Sequence, residues 1–230
     1  MHPLGGDLTL ARLSACPKPT ALFWLCISPV DDQAELAMTS EPKIVNPLPP
    51  QRRIVTGHDA KGRSIHASDQ EFKTQVITTP VRTVGMQVLW TIDSVPCKNN
   101  GEVEPVDAAF VKVSDLSSEK GVVIRCVDFA PGGKAMMHRT SSIDYAICVS
   151  GEIHHVVEEG EPVKMKPGDV VIQRGTMHAW SNRSDTWARM HFILIGADPV
   201  ALNGERLGAA GYSKEAVTSG GGVSGETKDH

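Results

Sequence analysis

An all-β fold, an antiparallel sandwich or barrel of the jelly-roll kind, is what this sequence predicts, and three observations carry the prediction. Short β-branched segments recur through residues 50–200 of the 230-residue chain. Clusters of Gly, Pro and acidic residues separate them, as at Glu158-Glu159-Gly160-Glu161 and Lys166-Pro167-Gly168-Asp169. Helical periodicity is confined to two short pieces, residues 115–120 and 199–206, so the strands have to bury their apolar faces against one another.

The elements follow in order. Residues 1–49 mix Gly, Pro and acidic residues with one apolar patch and no period; they are read as a disordered N-terminal extension, with Met38 as an alternative start. Arg53-Ile54-Val55-Thr56 and Ser64-Ile65-His66-Ala67 flank a Gly/Asp turn and read as paired strands. Further strands are expected at 85–92, 108–113, 122–129, 144–149, 153–157, 163–165, 169–173, 178–181 and 188–195. The barrel is therefore assigned to residues 50–200. Residues 201–230 are assigned to a short helix and a flexible tail rich in Gly, Ser, Lys and Glu.

Composition narrows the function classes. A net charge of -4 leaves no basic footprint for nucleic acid or an anionic membrane, so a small-molecule partner is expected. The five cysteines are odd in number, scattered and without a C-x-x-C, which predicts reduced thiols in a cytoplasmic protein. The longest apolar run, residues 21–27, is far short of the roughly 20 residues a spanning helix needs. A secretory signal is disfavoured, because that run begins late and no small-x-small cleavage site follows closely. No nucleophile elbow, P-loop or dinucleotide fingerprint occurs, and Gly132-Gly133 precedes no helix that would make a phosphate site.

Chemistry-bearing residues concentrate between Gly132 and Asn182. Gly132, five residues, His138-x-Thr140, three residues, Asp144, six residues and Gly151 form one block. Gly168, Gly175, His178 and Asn182 form a second. In both spacings the chain resembles the cupin superfamily over residues 50–200, and most strongly over 124–196. Within it, the runs Met-His-Arg-Thr-x-Ser-x-Asp-Tyr and Gln-Arg-Gly-Thr-x-His-x-Trp look like cupin-domain oxidoreductases of fungal secondary-metabolite clusters. Three departures stand out: Thr140 and Asp144 replace the family's second His and its Glu, and Gln173 occupies the family's proline position.

The resemblance implies a single-domain cupin barrel, commonly a homodimer, and a divalent metal, iron by expectation, held by His138, Asp144 and His178. Two imidazoles and a carboxylate are the donor composition of non-heme iron oxygenases. The implied activity is oxidation or reduction of a small polyketide-like or aromatic metabolite, with Thr140 and Arg139 or Arg174 positioning it. Residue parity is consistent with a shared site: His138, Thr140 and Asp144 are all even-numbered and fall on one face of an extended segment.

Two other readings stay open. One is a metal-free site in which His138 or His178 works with Asp144 in acid–base catalysis of an isomerisation, dehydration, cyclisation or decarboxylation. The other is a non-catalytic binding barrel, in which the histidines are core residues and Asp144 forms a buried ion pair with Arg139 or Arg174. His191 is a reserve ligand. His154 and His155 point to opposite faces of a strand and are assigned to the surface or an interface, Tyr145 to the outside of the cavity, and Met136, Met137, Met177, Trp180 and Phe192 to its lining.

Overall fold

The computed structural model describes residues 44–99 and 115–212. Among them thirteen strands form: β1 Gln51–His58, β2 Ser64–Phe72, β3 Gln75–Thr78, β4 Thr83–Ile92, β5 Val122–Phe129, β6 Ser142–Ser150, β7 Ile153–Val157, β8 Val163–Met165, β9 Val170–Arg174, β10 His178–Ser181, β11 Ala188–Gly196, β12 Val200–Leu202 and β13 Glu205–Leu207. The fold is all-β, as the sequence predicts. The strand expected at 108–113 lies outside the described residues, as do residues 1–43 and 213–230. No helix among the described residues is long and apolar enough to cross a membrane. Cys97, Cys126 and Cys148 are free thiols.

The strands build a six-stranded antiparallel sheet, β3-β4-β5-β11-β6-β9, and a three-stranded one, β10-β7-β8. Their alternation is regular. In β6, Ser142, Asp144, Ala146 and Cys148 are buried, while Ile143, Tyr145 and Val149 face out. In β11, Met190, Phe192 and Leu194 are buried. One core cluster joins side chains of both sheets, including Val127, Phe129, Phe192 and Leu194 from the larger and Ile153, Met165 and Trp180 from the smaller. Burying each of these side chains removes apolar surface worth about 1.5–3 kcal/mol from water.

On the outer face of the larger sheet, β5 and β11 meet residues of the chain before β4. Asp128 of β5 and Arg189 of β11 sit directly opposite each other and pair through two hydrogen bonds of 2.6 and 2.8 Å, with Asp128 fully buried. The remaining capacity of the carboxylate is filled by the Asn46 amide at 2.6 Å and the Thr74 hydroxyl at 2.8 Å. A buried charge is tolerable only with this degree of pairing. Residues before β1 are thereby tied to the sheet through Asn46.

Both expected helices are absent. Residues 115–120 form bends, held by the Arg125 guanidinium donating to the carbonyls of Asp115 and Leu116 and by Gly121 N–H donating to the Ser118 hydroxyl. Residues 199–206 contain most of the β12–β13 hairpin, which turns at Asn203 and Gly204 with φ of 52° and 84°. Positive φ at both central positions is the turn that matches strand twist, and Asn-Gly is its usual sequence. That dipeptide outweighs the weak helical spacing around it. Strand β3 was not expected; it completes the edge beside β4.

An Asp128→Ala substitution, which strands the Arg189 charge, is expected to lower unfolding free energy by about 3–5 kcal/mol in urea titrations. Asp69→Ala at the exposed Arg52 pair is expected to leave the midpoint almost unmoved. Equal losses at the two sites would contradict this assignment of the burial cost.

Candidate functional site

The site begins with a main-chain contact. His138 N–H donates to His178 C=O at 2.8 Å and His178 N–H donates to His138 C=O at 2.9 Å. This antiparallel exchange places both side chains on one face. The imidazole centroids lie 4.4 Å apart at a 47° tilt. Each ring is oriented the same way: Nδ1 is 3.0 Å from the carbonyl two residues earlier, Met136 for His138 and Thr176 for His178. A carbonyl only accepts, so each Nδ1 carries the proton and each Nε2 keeps its lone pair.

Two residues beyond His138, Thr140 enters the same wall, followed by Ser142 and Asp144. The Ser142 hydroxyl donates to Asp144 Oδ1 at 2.5 Å and contacts the Thr140 hydroxyl at 2.8 Å; Thr140 approaches Asp144 Oδ2 at 3.4 Å. His138, Thr140, Asp144 and His178 all line one cavity of about 450 Å³, within the range of small-molecule sites. Its walls are otherwise mainly apolar, with Val84, Met86, Val127, Phe129, Phe192 and Leu194 facing in.

That environment sets the protonation states. Burial pushes the Asp144 carboxyl up to about 6, against the lowering effect of the Ser142 and Thr140 hydrogen bonds. Burial, aided by the neighbouring His138, pushes His178 down to about 3. His138 is also lowered, by burial first and then by the charge of Arg82, against the Met136 carbonyl. Both imidazoles are therefore neutral acceptors at neutral pH, and Asp144 exchanges its proton near pH 6.

Several residues sit elsewhere than expected. Arg139 does not line the cavity; its backbone pairs with Ala210, so its side chain follows the opposite face from His138 and Thr140. Arg174 is exposed on β9, and neither arginine pairs with Asp144, whose partners are hydroxyls. His191 alternates out of the cavity and meets Gln51 at 2.9 Å. Met137 and Met177 are not in the lining, whereas Met136, Trp180 and Phe192 are. Among the described residues no three His, Cys, Asp or Glu side chains converge as a cation's shell, so Asp144 is not brought into a ligand set with His138 and His178.

Other residues join the site unannounced. His155, assigned to the surface or an interface, packs on Trp180 at 4.7 Å and lies 6.0 Å from His178. Its Nε2 meets Gln173 Oε1 at 2.8 Å, while the Gln173 amide donates to the Thr176 hydroxyl. The amide in the proline position thus steadies the segment whose carbonyl orients His178. Ser142 shares the parity of Thr140 and Asp144 and was readable on that ground. Arg82, Arg125 and Tyr212 also line the cavity, and no sequence signal marked them. Gly211, at φ +83°, lets the C-terminal segment cross within 2.3 Å of the Met137 carbonyl, measured from where a Cβ would stand. Tyr212 then presents its edge to His138 and donates to Asp115 at 2.6 Å.

Comparison with known proteins adds context. A family profile described as a cupin domain matches residues 125–195. A phomopsin biosynthesis cluster protein of Diaporthe leptostromiformis is 37% identical over 164 residues, covering 68% of this chain and 84% of its own length. A cupin-domain-containing oxidoreductase of Aspergillus ruber is 32% identical over 163 residues, covering 67% of this chain and 77% of its own. Among solved structures, a cupin-2 domain of Rhodospirillum rubrum aligns over 64% of this chain and 80% of its own, at 16% identity and a TM-score of 0.37.

The two shifted groups oppose each other in pH dependence. Asp144 is raised from 3.8 to about 6 in the fold, so the unfolded chain ionises first and stability falls as pH rises across that interval. His178 is lowered from 6.5 to about 3, so the unfolded chain takes up its proton first and stability falls as pH drops below 6.5. Asp144→Asn is therefore expected to gain stability relative to wild type between pH 4 and 6, by a few kcal/mol at about 1.4 kcal/mol per pKa unit. Urea titrations across that range giving a constant difference would contradict the burial of an ionisable Asp144.

Proposed function

We propose, for a chain that belongs to the cupin-domain family, that the protein is an enzyme of secondary metabolism acting on a small, largely apolar, polyketide-like or aromatic metabolite by proton transfer. What carries this reading is a buried carboxyl group, held only by hydroxyls and pushed up to about 6, in the same apolar cavity as two lone-pair-bearing imidazoles. The relatives named for biosynthesis clusters support the metabolic setting.

Each residue has a role set by its state. Ionised Asp144, poised close to the working pH, accepts a proton from a substrate carbon or hydroxyl. Ser142 and Thr140 hold the carboxylate by hydrogen bonds and fix its direction. The Nε2 atoms of His138 and His178 accept hydrogen bonds from substrate hydroxyl or enol groups, and their neutrality adds no positive charge to those of Arg82 and Arg125. The proton taken by Asp144 is given back to the substrate or exchanged with solvent before the return, so the step is neutral in protons and electrons. Isomerisation, dehydration and cyclisation all use such a step.

A second reading has its own observation. Nδ1–carbonyl bonds on both histidines leave their Nε2 atoms as metal ligands usually stand, and relatives carry the name cupin-domain-containing oxidoreductase. The donor set supplies two imidazoles without the carboxylate of the two-His, one-carboxylate arrangement, so the described residues do not fit that set and no step is routed through a metal.

Deuterium wash-in to a panel of β-keto acids and aromatic 1,3-dicarbonyls, followed by NMR, tests the choice. Exchange is expected to rise through about pH 6, to fall by about 10²–10⁴-fold in Asp144→Asn, and to survive chelation. One equivalent of metal, lost in both His138→Ala and His178→Ala and needed for turnover, would replace this reading with the oxidoreductase one.

A further inference from the structure

We propose that Arg82 is the anion-recognition residue of the cavity, and that the molecule the cavity takes is an amphipathic carboxylate, with its apolar body against Phe129, Phe192 and Val84 and its carboxylate on the Arg82 guanidinium. The inference rests on the reading of this cavity as the substrate site and names the class of substrate it holds.

Two arginines line the cavity, Arg82 and Arg125, and they differ in their partners. Arg189 is paired with Asp128. Arg125, which also lines the cavity, donates to the Asp115 and Leu116 carbonyls. Arg52 and Arg63 pair with Asp69 and Asp59. Arg82 is half-buried in a mainly apolar wall, and its guanidinium has no hydrogen bond or ion pair among the described residues. The carboxyl group in the same cavity, Asp144, is held by Ser142 and Thr140 instead. A guanidinium carries five N–H donors in a planar fork that fits a carboxylate, so one at the cavity wall with no protein partner has all five free for an anion.

Its backbone is held in advance of any ligand. In the turn before β4, Thr79 N–H and its hydroxyl both donate to the Arg82 carbonyl, and Arg82 N–H contacts the same hydroxyl at 3.2 Å. Lys134 N–H donates to the Val81 carbonyl, tying this turn to the loop that leads to His138. Gly133 has no side chain where a Cβ would stand 3.3 Å from Arg82 Cβ, so the two segments lie close. Such fixing reduces the ordering cost of binding.

The electrostatics agree. Desolvation lowers the Arg82 pKa with no acid acting to raise it again. Its charge in turn depresses His138, which places the cation within electrostatic reach of the imidazole pair. A carboxylate on Arg82 therefore lies close to the groups that handle protons. The bland alternative is an arginine whose stem covers apolar surface while its head stays in water. That reading predicts no preference for charge in the ligand.

Calorimetric titration of the full chain with 2-naphthoate and with its uncharged isostere 2-naphthamide separates the two. Wild type is expected to prefer naphthoate by about 10–100-fold, the range for charge-assisted hydrogen bonds. Arg82→Gln is expected to lose that preference while binding naphthamide as wild type does, which shows an intact cavity. Arg82→Lys is expected to keep part of it. Equal affinities in wild type, a preference that persists in Arg82→Gln, or no binding of naphthoate would each overturn the proposal. Because binding requires no proton transfer, equal affinities leave the acid–base reading standing. A lost deuterium exchange with the naphthoate preference intact removes that reading alone.

Discussion

Two main-chain hydrogen bonds exchanged between His138 and His178 are the contact on which the site depends. They join the segment leading into β6 of the larger sheet to the first residue of β10 in the smaller one, and so close the barrel where the imidazoles stand. The two positions are 40 apart in the sequence, yet the antiparallel exchange leaves little freedom in their relative placement. Ring direction is fixed beside that contact, because each Nδ1 finds the carbonyl two residues earlier in its own segment. Two weak bases are thereby made into two fixed acceptors. Their 4.4 Å separation also disfavours a proton on either, since a charge on one raises the cost of charge on the other.

Burial then divides the titratable groups. The same apolar walls that push Asp144 up push His178 down, so the cavity holds a proton on the carboxyl group more readily than on the imidazole. Environments that push two pKa values apart define who gives and who takes a proton. The opposite face of the sheet shows the contrasting solution. Asp128 is more deeply buried than Asp144 but meets a guanidinium, an amide and a hydroxyl, and it serves the fold. Partnering separates the two carboxylates: Asp128 meets a guanidinium, and Asp144 meets hydroxyls alone. It likewise separates Arg82 from Arg189.

Much of this was legible in the sequence, for physical reasons. Period-two alternation survives in β6 and β11 because each has one buried face, so strand positions and the inward parity of His138, Thr140 and Asp144 could be read directly. The spacing of the two motifs reflects the distance between strands that must meet at His138 and His178. What escaped was set by tertiary context. The helical pieces at 115–120 and 199–206 were weak local signals, overruled in one case by Arg125 reaching for carbonyls and in the other by Asn203-Gly204. Arg139 shares a segment with His138 but takes the opposite face. Parity also turns His191 away from Phe192 and Leu194. Parity could not rescue His155, whose place beside Trp180 depends on how β7 pairs with β10, nor Arg82 and Tyr212, which reach the cavity from turns without period.

The central claim is that the cavity is built around neutral imidazoles whose Nε2 lone pairs face inward. Two-bond nitrogen–proton correlation spectra of nitrogen-15-labelled protein read tautomer and charge for each ring directly. The account predicts Nδ1-protonated, neutral tautomers for both rings at pH 8, and a His178 that stays neutral down to about pH 5. An Nε2-protonated ring, or a His178 imidazolium appearing near pH 6.5, would contradict it.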